Sequence, residues 1–380
     1  MKRKEPVRRG RAREVESAGP LSGCQDRQMS IEARQARPEI SVVVVNWNRR
    51  EDLRQCLESL ARQTWRDFEV LVVDNASQDG SAEMVREEFQ GRPDLRVRLI
   101  RNEMNRGFCA ANNQGFAAAQ GRLVALLNND TEAEPGFLAA LRKAFEGAED
   151  VGMAASKVLM YEDPSRIDKV GHLIFPDGQN RGRGAGELDR GQYDRQEECL
   201  WPDGCAAMYR KRMLDEIGGF DEDLFLYGDD AELGLRARLA GWRCVYVPEA
   251  VVRHKRGSSL GKGSFERIFW IERNRVLLAV KLFPWSLLLL NPLYFAARLA
   301  AALSAAAGNR GEMAHFPGFW NKMRLAWTVL RADVAALRLI PRMLRKRREV
   351  WSKAKLTPAE VRRLILENRI PVRALLEQSN

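Results

Sequence analysis

From residue 40 onward, short apolar runs alternate with stretches of helical spacing, and this order restricts the fold more than any other feature. Residues 40–45 form a nearly continuous β-branched run, as expected for a strand buried on both faces of a parallel sheet. Further strands are predicted at residues 68–73, 97–100 and 123–127. The alternation predicts an α/β fold in which helices cover both faces of a mostly parallel central sheet.

Helices are predicted between these strands. Asn48 is a candidate N-cap because Glu51 follows three residues later, and apolar residues then recur at helical spacing up to residue 60. An alanine-rich stretch at residues 110–119 and a segment that opens at Pro135 are predicted to form the next two helices.

Polar residues stand where the predicted strands end. Residues 46–48 (Asn-Trp-Asn) follow the first strand, residues 74–81 follow the second, and residues 128–131 (Asn-Asn-Asp-Thr) follow a later one. In open α/β sheets, ligands bind in the crevice outside the carboxyl ends of the strands. We therefore expect these three segments to line a ligand site.

Charge is distributed unevenly along the 380 residues. The formal net charge is +11, yet basic residues crowd the first fifteen positions and residues 341–348, whereas acidic residues lie mainly between them. With 45% hydrophobic residues, the chain can bury a large core. We predict a disordered basic tail at residues 1–38, a catalytic domain at 39–275, and a helical, membrane-associating region at 276–380.

Acidic residues at two positions are candidates for metal binding or catalysis. Asp130 follows the apolar run 123–127, where a carboxylate beside a crevice can hold Mg²⁺ or Mn²⁺ against a diphosphate. An isolated aspartate there more often caps a turn or helix. Asp229 and Asp230 open a segment of helical spacing, where the helix dipole favours carboxylates. Taken alone, this second pair is explained better by capping than by catalysis.

Five short motifs occur in an order that resembles one enzyme family. They are, in chain order, residues 42–48, 72–75 with 79–81, 105–108, 126–131 and 227–242. Together they resemble the signature of the inverting family 2 glycosyltransferases, and most closely the rhamnosyltransferase-like members. The resemblance covers about residues 40–275 and implies the nucleotide-diphospho-sugar transferase fold called GT-A.

The resemblance assigns residues to the nucleotide-sugar donor. The implied donor-binding residues are Asn46, Asp74, Asn105, Gly107, Asn128, Asn129 and Trp201. Asp74 corresponds to the carboxylate that binds the uracil or thymine edge, and Asn128 replaces the usual first aspartate of the DxD-type motif. Trp201, Asp203 and Gly204 resemble the stretch that borders the donor sugar and the acceptor. Trp201 could stack on a sugar ring, although an ordinary core tryptophan is an equally good interpretation.

The resemblance also assigns the metal and the base. Asp130 matches the last position of the DxD-type motif, and His254 matches a histidine that completes the shell of a divalent metal, Mn²⁺ or Mg²⁺. Asp230 matches the aspartate that deprotonates the acceptor hydroxyl, and Asp229 stands where glutamate is commoner. The implied mechanism is a direct displacement with inversion and without a covalent sugar intermediate.

The implied function is a metal-dependent, inverting hexosyltransferase of bacterial cell-surface glycan synthesis. It would move a sugar, with rhamnose as a candidate, from a UDP- or dTDP-sugar to a hydroxyl of a lipid-linked or polysaccharide acceptor. A nucleotidyltransferase is an alternative, but residues 46–50 lack the glycines of a triphosphate loop. A basic nucleic-acid-binding protein is another, but the cations lie in the tails and the sheet lacks an aromatic platform, so no nucleic acid partner is expected. An inactive membrane scaffold is a third.

Residues 276–307 raise the question of a membrane. The segment is strongly apolar but is interrupted by a lysine and two prolines, which predicts monotopic or re-entrant attachment rather than a span. Trp285 and Tyr294 would then lie among headgroups, and residues 342–348 would bind anionic lipid. The alternative is a buried helical hairpin that closes the catalytic domain. The scattered cysteines and the lack of an apolar segment after the basic N-terminus favour the cytoplasm, at the inner face of the plasma membrane.

Overall fold

Strands make up the centre of the protein. The computed structural model describes residues 37–256, 264–307, 316–371 and 374, and the predicted tail at 1–38 lies almost entirely outside them. The described strands are β1 (Ile40–Asn46), β2 (Phe68–Asp74), β3 (Val97–Arg101), β4 (Leu123–Leu127), β5 (Thr131–Ala133), β6 (Val151–Met160), β7 (Ile167–Lys169), β8 (His172–Ile174), β9 (Asn180–Gly182), β10 (Glu197–Cys199), β11 (Ala206–Arg210) and β12 (Arg243–His254).

Helices follow most of these strands and continue beyond the last one. The described helices are α1 (Arg50–Ala61), α2 (Ser81–Met84, extended by a π-helical turn at Val85–Phe89), α3 (Gly107–Ala118), α4 (Phe137–Lys143), α5 (Lys211–Ile217), α6 (Asp229–Leu239), α7 (Phe265–Leu282), α8 (Trp285–Leu288), α9 (Asn291–Ala307), α10 (Phe319–Ser352) and α11 (Pro358–Glu367). The predicted strands and the helix of residues 110–119 are confirmed, and the helix expected after Pro135 begins at Phe137.

Ten of the strands form one mixed sheet. Its order is β10-β12-β6-β11-β4-β1-β2-β3, while β5 pairs with β12 and β7 pairs with β6. Strands β3, β2, β1 and β4 run parallel, but β11 is antiparallel to both β4 and β6. The α/β class is as predicted, whereas only the first half of the sheet is purely parallel. An apolar run indicates burial and carries no information on strand direction.

Strand β1 is buried on both faces, which explains its unbroken β-branched run. Val42 and Val44 pack on the α1 side with Leu57, and Val43 packs on the α3 side. Each such buried side chain contributes about 2 kcal/mol to folding. The approach of α3 requires Gly115, because a Cβ there would lie 2.3 Å from a methyl group of Val43. The resulting layers hold the carboxyl ends of β1, β2 and β4 together at one edge.

The predicted capping box at the start of α1 is wrong. Asn48 has a left-handed backbone (φ 58°), and its Oδ1 accepts a hydrogen bond from the backbone N of Gln78. The first helical N–H, that of Arg50, donates instead to the carboxylate of Asp79 at 2.8 Å. The cap therefore comes from the loop after β2, and Asn48 ties the two loops together.

The predicted boundary between residues 275 and 276 falls inside α7. Leu277 and Leu282 of this helix are fully buried, and the chain from Pro38 onward forms one compact unit. Helix α10 packs along α7, and Arg347 of α10 donates to the backbone carbonyl oxygens at the end of α7 and just after it. Part of the apolar segment at 276–307 therefore closes the core. Among the described residues, no helix combines the length and the apolarity needed to cross a bilayer.

Candidate active site

One cavity of about 720 Å³ opens at the carboxyl ends of β1, β2 and β4. Asp130 and Asp230 both line it, although one hundred positions separate them in the sequence. Of the remaining predicted site residues, the lining includes Asn105, Gly107, Asn128, Asn129, Asp229 and His254. The sheet thus brings most of the predicted residues to one place.

Three predicted donor-binding residues lie behind the wall of this cavity. Asn46, Asp74 and Trp201 have no exposed surface and are absent from the lining. Asn46 donates to Asp74 at 3.3 Å and to the hydroxyl of Ser77 at 3.0 Å, while its Oδ1 accepts from Asn129 at 2.7 Å. In this structure the pair therefore orients Asn129, which does face the cavity. The base contact assigned to Asn46 and Asp74 stays a prediction.

The loop before α3 is held by asparagine side chains. Asn75 donates to Oδ1 of Asn105 at 2.8 Å, and the same oxygen accepts from the backbone N of Gly107 at 2.9 Å. Gly107 has φ +81°, and a Cβ there would lie 2.5 Å from the ring of Phe225. The backbone can therefore approach this aromatic ring only with glycine at position 107. Asn75 belongs to the second motif and was not among the predicted donor-binding residues.

The metal candidate Asp130 faces the other predicted ligand. Nε2 of His254 lies 3.4 Å from Asp130, and Nδ1 of the same ring lies 2.7 Å from the buried carboxylate of Asp168. Arg256 also pairs with Asp168, and Arg49 lies 3.3 Å from Asp130. Antiparallel pairing sets this geometry, because His254 of β12 lies opposite Thr131 of β5, next to Asp130.

The electrostatics around Asp130 and His254 favour a positive charge. Burial alone would lower the pKa of His254, but its bonds to Asp130 and Asp168 raise the pKa to about 9. Burial works against ionisation of Asp130 as well, yet His254 and Arg49 hold the pKa of that carboxyl below its ordinary value. Near neutral pH the imidazole is therefore protonated, and its positive charge lies next to the carboxylate of Asp130.

These residues fit a divalent metal. Asp168 fixes one ring nitrogen of His254 and leaves the other directed at Asp130, an arrangement common around metal-binding histidines. A carboxylate oxygen and an imidazole nitrogen are both suitable ligands for Mn²⁺.

The base candidate stands at the first turn of α6. Asp230 accepts from its neighbouring backbone N–H at 2.7 Å, and Asp229 beside it is buried. Burial raises the pKa of Asp229 well above its ordinary range, and the adjacent charge of Asp230 raises it further. Burial also raises the pKa of Asp230, while the nearby His172 opposes that rise. Asp230 is therefore the carboxyl of the pair that ionises more readily.

Sequence reasoning missed His172 and Lys169 beside the base, and it placed Asp203 only at the border of the donor sugar and the acceptor. Nε2 of His172 lies 2.8 Å from Asp203 and 3.3 Å from Asp230, and Lys169 lies 2.6 Å from Asp203. Burial favours a neutral Asp203, yet Lys169 and His172 keep the pKa of this carboxyl well below its ordinary value. These residues come from β7, β8 and the loop before β11, short segments without a periodic signal. Only the histidine, one of three in the chain, and the Asp-Gly turn at 203–204 offered a hint.

Trp201 is a core residue of this second cluster. Its ring stacks on His172 with 5.9 Å between the centroids, and a Cβ at Gly234 of α6 would lie only 2.2 Å from the tryptophan side chain. With no exposed surface, Trp201 supports the histidine from behind. This packing favours the core alternative, and the predicted contact between Trp201 and a sugar stays a prediction.

His172, Asp203 and Asp230 form a second set of possible metal ligands. Their ligand atoms lie within 4.8 Å of one another. However, the ammonium group of Lys169 already lies against Asp203, which offsets the negative charge that would attract a dication. Asp130 likewise lies 3.3 Å from the guanidinium of Arg49, so each set has a cation against one of its carboxylates. What favours the Asp130 and His254 pair is the ring orientation that Asp168 imposes, which leaves Nε2 of His254 directed at Asp130.

The fold and the cavity define a class. The architecture is that of the GT-A nucleotide-diphospho-sugar transferases, and one solved structure with it is GalNAc-T7 with UDP, GalNAc and Mn²⁺. It matches with a TM-score of 0.56 at 16% sequence identity, covering 71% of this chain and 52% of that one. At this identity the likeness concerns the fold alone.

Sequence comparisons give the family. The model of Glycosyl transferase family 2 matches residues 41–218. The N-acetylglucosaminyl-diphospho-decaprenol L-rhamnosyltransferase of Mycobacterium tuberculosis is 28% identical over 246 residues, covering 59% of this chain and 78% of that protein. An uncharacterised protein of Sinorhizobium fredii, y4gI, is 29% identical over 239 residues, which span 59% of this chain but only 25% of that protein. Residues 41–218 therefore form a family 2 glycosyltransferase domain, as the motifs predicted.

Proposed function

We propose that this glycosyltransferase acts by a metal-dependent direct displacement that inverts the anomeric centre. The observation that carries the proposal is that Asp130 and Asp230 line one cavity with different surroundings. Asp130 lies among cations, which keep it ionised. Burial, together with the nearby charge of Asp203, raises the pKa of Asp230. One carboxylate suits a metal and a diphosphate, and the other suits a base.

The diphosphate end of the donor is assigned to Asp130 and His254. A bound Mn²⁺ or Mg²⁺ would supply Lewis-acid stabilisation of the nucleoside diphosphate as it leaves. Asp168 holds the imidazole of His254 in place, and Arg256, which lines the same cavity, adds positive charge beside the phosphates. Asn105, Asn128 and Asn129 line the part of the cavity beside the strand ends, where we assign the nucleoside.

The acceptor hydroxyl is assigned to Asp230. The ionised carboxylate accepts the hydroxyl proton as the oxygen attacks the anomeric carbon, and the bond to the diphosphate breaks on the opposite side. The proton stays on Asp230 until solvent removes it. Asp229 keeps its own proton and so limits repulsion, while Asp203 and Lys169 fix His172 against the base.

The substrates are proposed from the family resemblance and from the name of a relative. The family resemblance assigns Asp74 to the edge that uracil and thymine share, so a UDP- or dTDP-sugar is the expected donor. The mycobacterial relative is named for rhamnose transfer to a decaprenol-linked sugar, which motivates rhamnose and a lipid-linked or polysaccharide acceptor here. Such an acceptor would place the protein at the cytoplasmic membrane surface, as a peripheral or monotopic enzyme of cell-surface glycan synthesis.

The test separates donor binding from transfer. Thermal-shift screening of UDP-, dTDP- and GDP-sugars with and without Mn²⁺ should reveal a donor that stabilises the protein only with the ion. Asp130→Ala should abolish this Mn²⁺-dependent shift. Asp230→Asn should keep the shift but lower transfer about 10²- to 10⁴-fold, because it removes the general base.

A matched control is Asp215→Asn on the exposed side of α5, which should change neither result. Near-normal transfer by Asp230→Asn would refute the assigned base. Release of pyrophosphate from a nucleoside triphosphate would instead favour a nucleotidyltransferase, and donor binding without turnover would favour a scaffold.

A further inference from the structure

An apolar stripe runs along the exposed face of α10. Its members recur at alternating steps of three and four residues, so they share one side of the helix. They are Trp320, Met323, Trp327, Leu330, Val334 and Leu337, with 43% to 82% of their surface exposed. At 1.5 Å per residue the stripe is about 26 Å long. An apolar surface of this length on a helix indicates an interaction site.

A second exposed apolar surface lies nearby on α9. Leu293, Leu299 and Leu303 are 47% to 68% exposed. Arg275 of α7 lies 3.3 Å from Asp333 of α10, and its guanidinium lies 4.6 Å from the ring of Phe295 of α9. One arginine side chain therefore contacts both helices, and α9 and α10 flank the same turn of α7.

Charge identifies the occupant of the stripe. Exposed cations are interspersed with the apolar residues and continue beyond them; they are Lys322, Arg324, Arg331, Arg338, Arg345 and Arg348. The only acidic residues of α10 are Asp333, which pairs with Arg275, and Glu349. A second copy of this helix would place cations against cations in either orientation. An anionic lipid surface complements them, and two tryptophans suit its headgroup region.

The stripe begins beside the mouth of the active-site cavity. The ring of Phe316 packs on that of Phe265, the first residue of α7, with 4.8 Å between centroids, and Arg324 lies 4.4 Å above the same ring. The next two residues of α7, Glu266 and Arg267, line the cavity. A surface bound along α10 would therefore lie at the rim of the cavity.

We propose that α10 lies in the interface of an anionic membrane and thereby presents the cavity to an acceptor carried on lipid. The apolar residues enter the headgroup boundary and the flanking cations bind lipid phosphates. This inference rests on the proposed function for the nature of the acceptor, but the membrane contact stands on α10 alone. It moves the main attachment from the predicted segment 276–307 to residues 320–337.

The test is flotation of the full chain with vesicles of phosphatidylcholine alone and with 30% phosphatidylglycerol. The wild-type protein should float with the anionic vesicles and bind less in high salt. The double variant Trp320→Glu with Trp327→Glu should bind about tenfold or more weakly, because two apolar anchors are lost. Leu188→Glu, at an exposed leucine outside the stripe, is the matched control and should bind like wild type.

Folding and catalysis are checked separately. Both tryptophans are mostly exposed, so the double variant should keep its melting temperature and its Mn²⁺-dependent donor shift. Equal flotation of the wild type and the double variant would overturn the proposal. So would a dimer that disappears in the double variant without any vesicle binding, since the stripe would then bind a second copy. Loss of the donor shift in all proteins would count against the proposed function and not against the membrane contact.

Discussion

The protonated imidazole of His254 makes the stability of the metal-free protein depend on pH. The folded pKa is about 9, compared with an ordinary value of 6.5, so the folded state holds this proton more tightly than the unfolded chain does. The stabilisation is complete below pH 6.5 and is lost as the pH rises through 9. At 1.36 kcal/mol for each pH unit, the loss amounts to about 3 kcal/mol.

Urea unfolding at pH 6, 7.5 and 9.5 in the presence of a chelator measures this loss. The free energy of unfolding of the wild type should fall more steeply with pH than that of His254→Gln, which lacks the titrating ring. Added Mn²⁺ should reverse the trend, because metal binding to the imidazole must displace the proton and so becomes tighter as the pH rises. Parallel pH dependence of the wild type and His254→Gln would refute the reasoning.

Two further predictions concern the base and the loop before α3. Asp230 must be ionised to accept a proton, and burial raises its pKa, so the rate of transfer should decline as the pH falls through that raised value. A kcat/KM profile of the Mn²⁺-loaded enzyme that stays flat down to pH 4 would contradict this. Gly107→Ala should destabilise the protein by about 1 to 3 kcal/mol in thermal unfolding, because the new Cβ meets Phe225 at a positive φ; Gly136→Ala, where a Cβ meets nothing within 4 Å, is the control.

The first half of the fold could be predicted largely because β1, β2 and β4 are buried on both faces. A continuous β-branched run such as residues 40–45 is typical of a buried parallel strand, and parallel pairing then fixes where its polar end lies. The strand directions of the second half could not be predicted, because β6, β11 and β12 are apolar runs whose directions depend on the loops between them. The capping error at Asn48 has a similar cause, since the actual cap, Asp79, lies in another loop.

The site divides in the same way. Asp130 and Asp230 were predicted because they stand in local motifs, and the sheet brings both to one cavity. His172 and Lys169 were missed, and Asp203 was not connected with the base, because their association exists only after folding, across 31 and 34 positions of sequence. Trp201 was ambiguous for a physical reason, since a stacking residue and a core residue use the same large ring. Its lack of exposed surface favours the core residue.

Helix α7 has two tasks that cannot be assigned to separate pieces of the chain. One side of α7 forms a wall of the catalytic cavity, and α10 packs along α7. A shortened protein ending at residue 275 would sever α7 and remove Leu277, Leu278 and Leu282 from the core. Any attempt to obtain a minimal soluble enzyme should therefore redesign the outer surface of α10 and leave the helix itself in place.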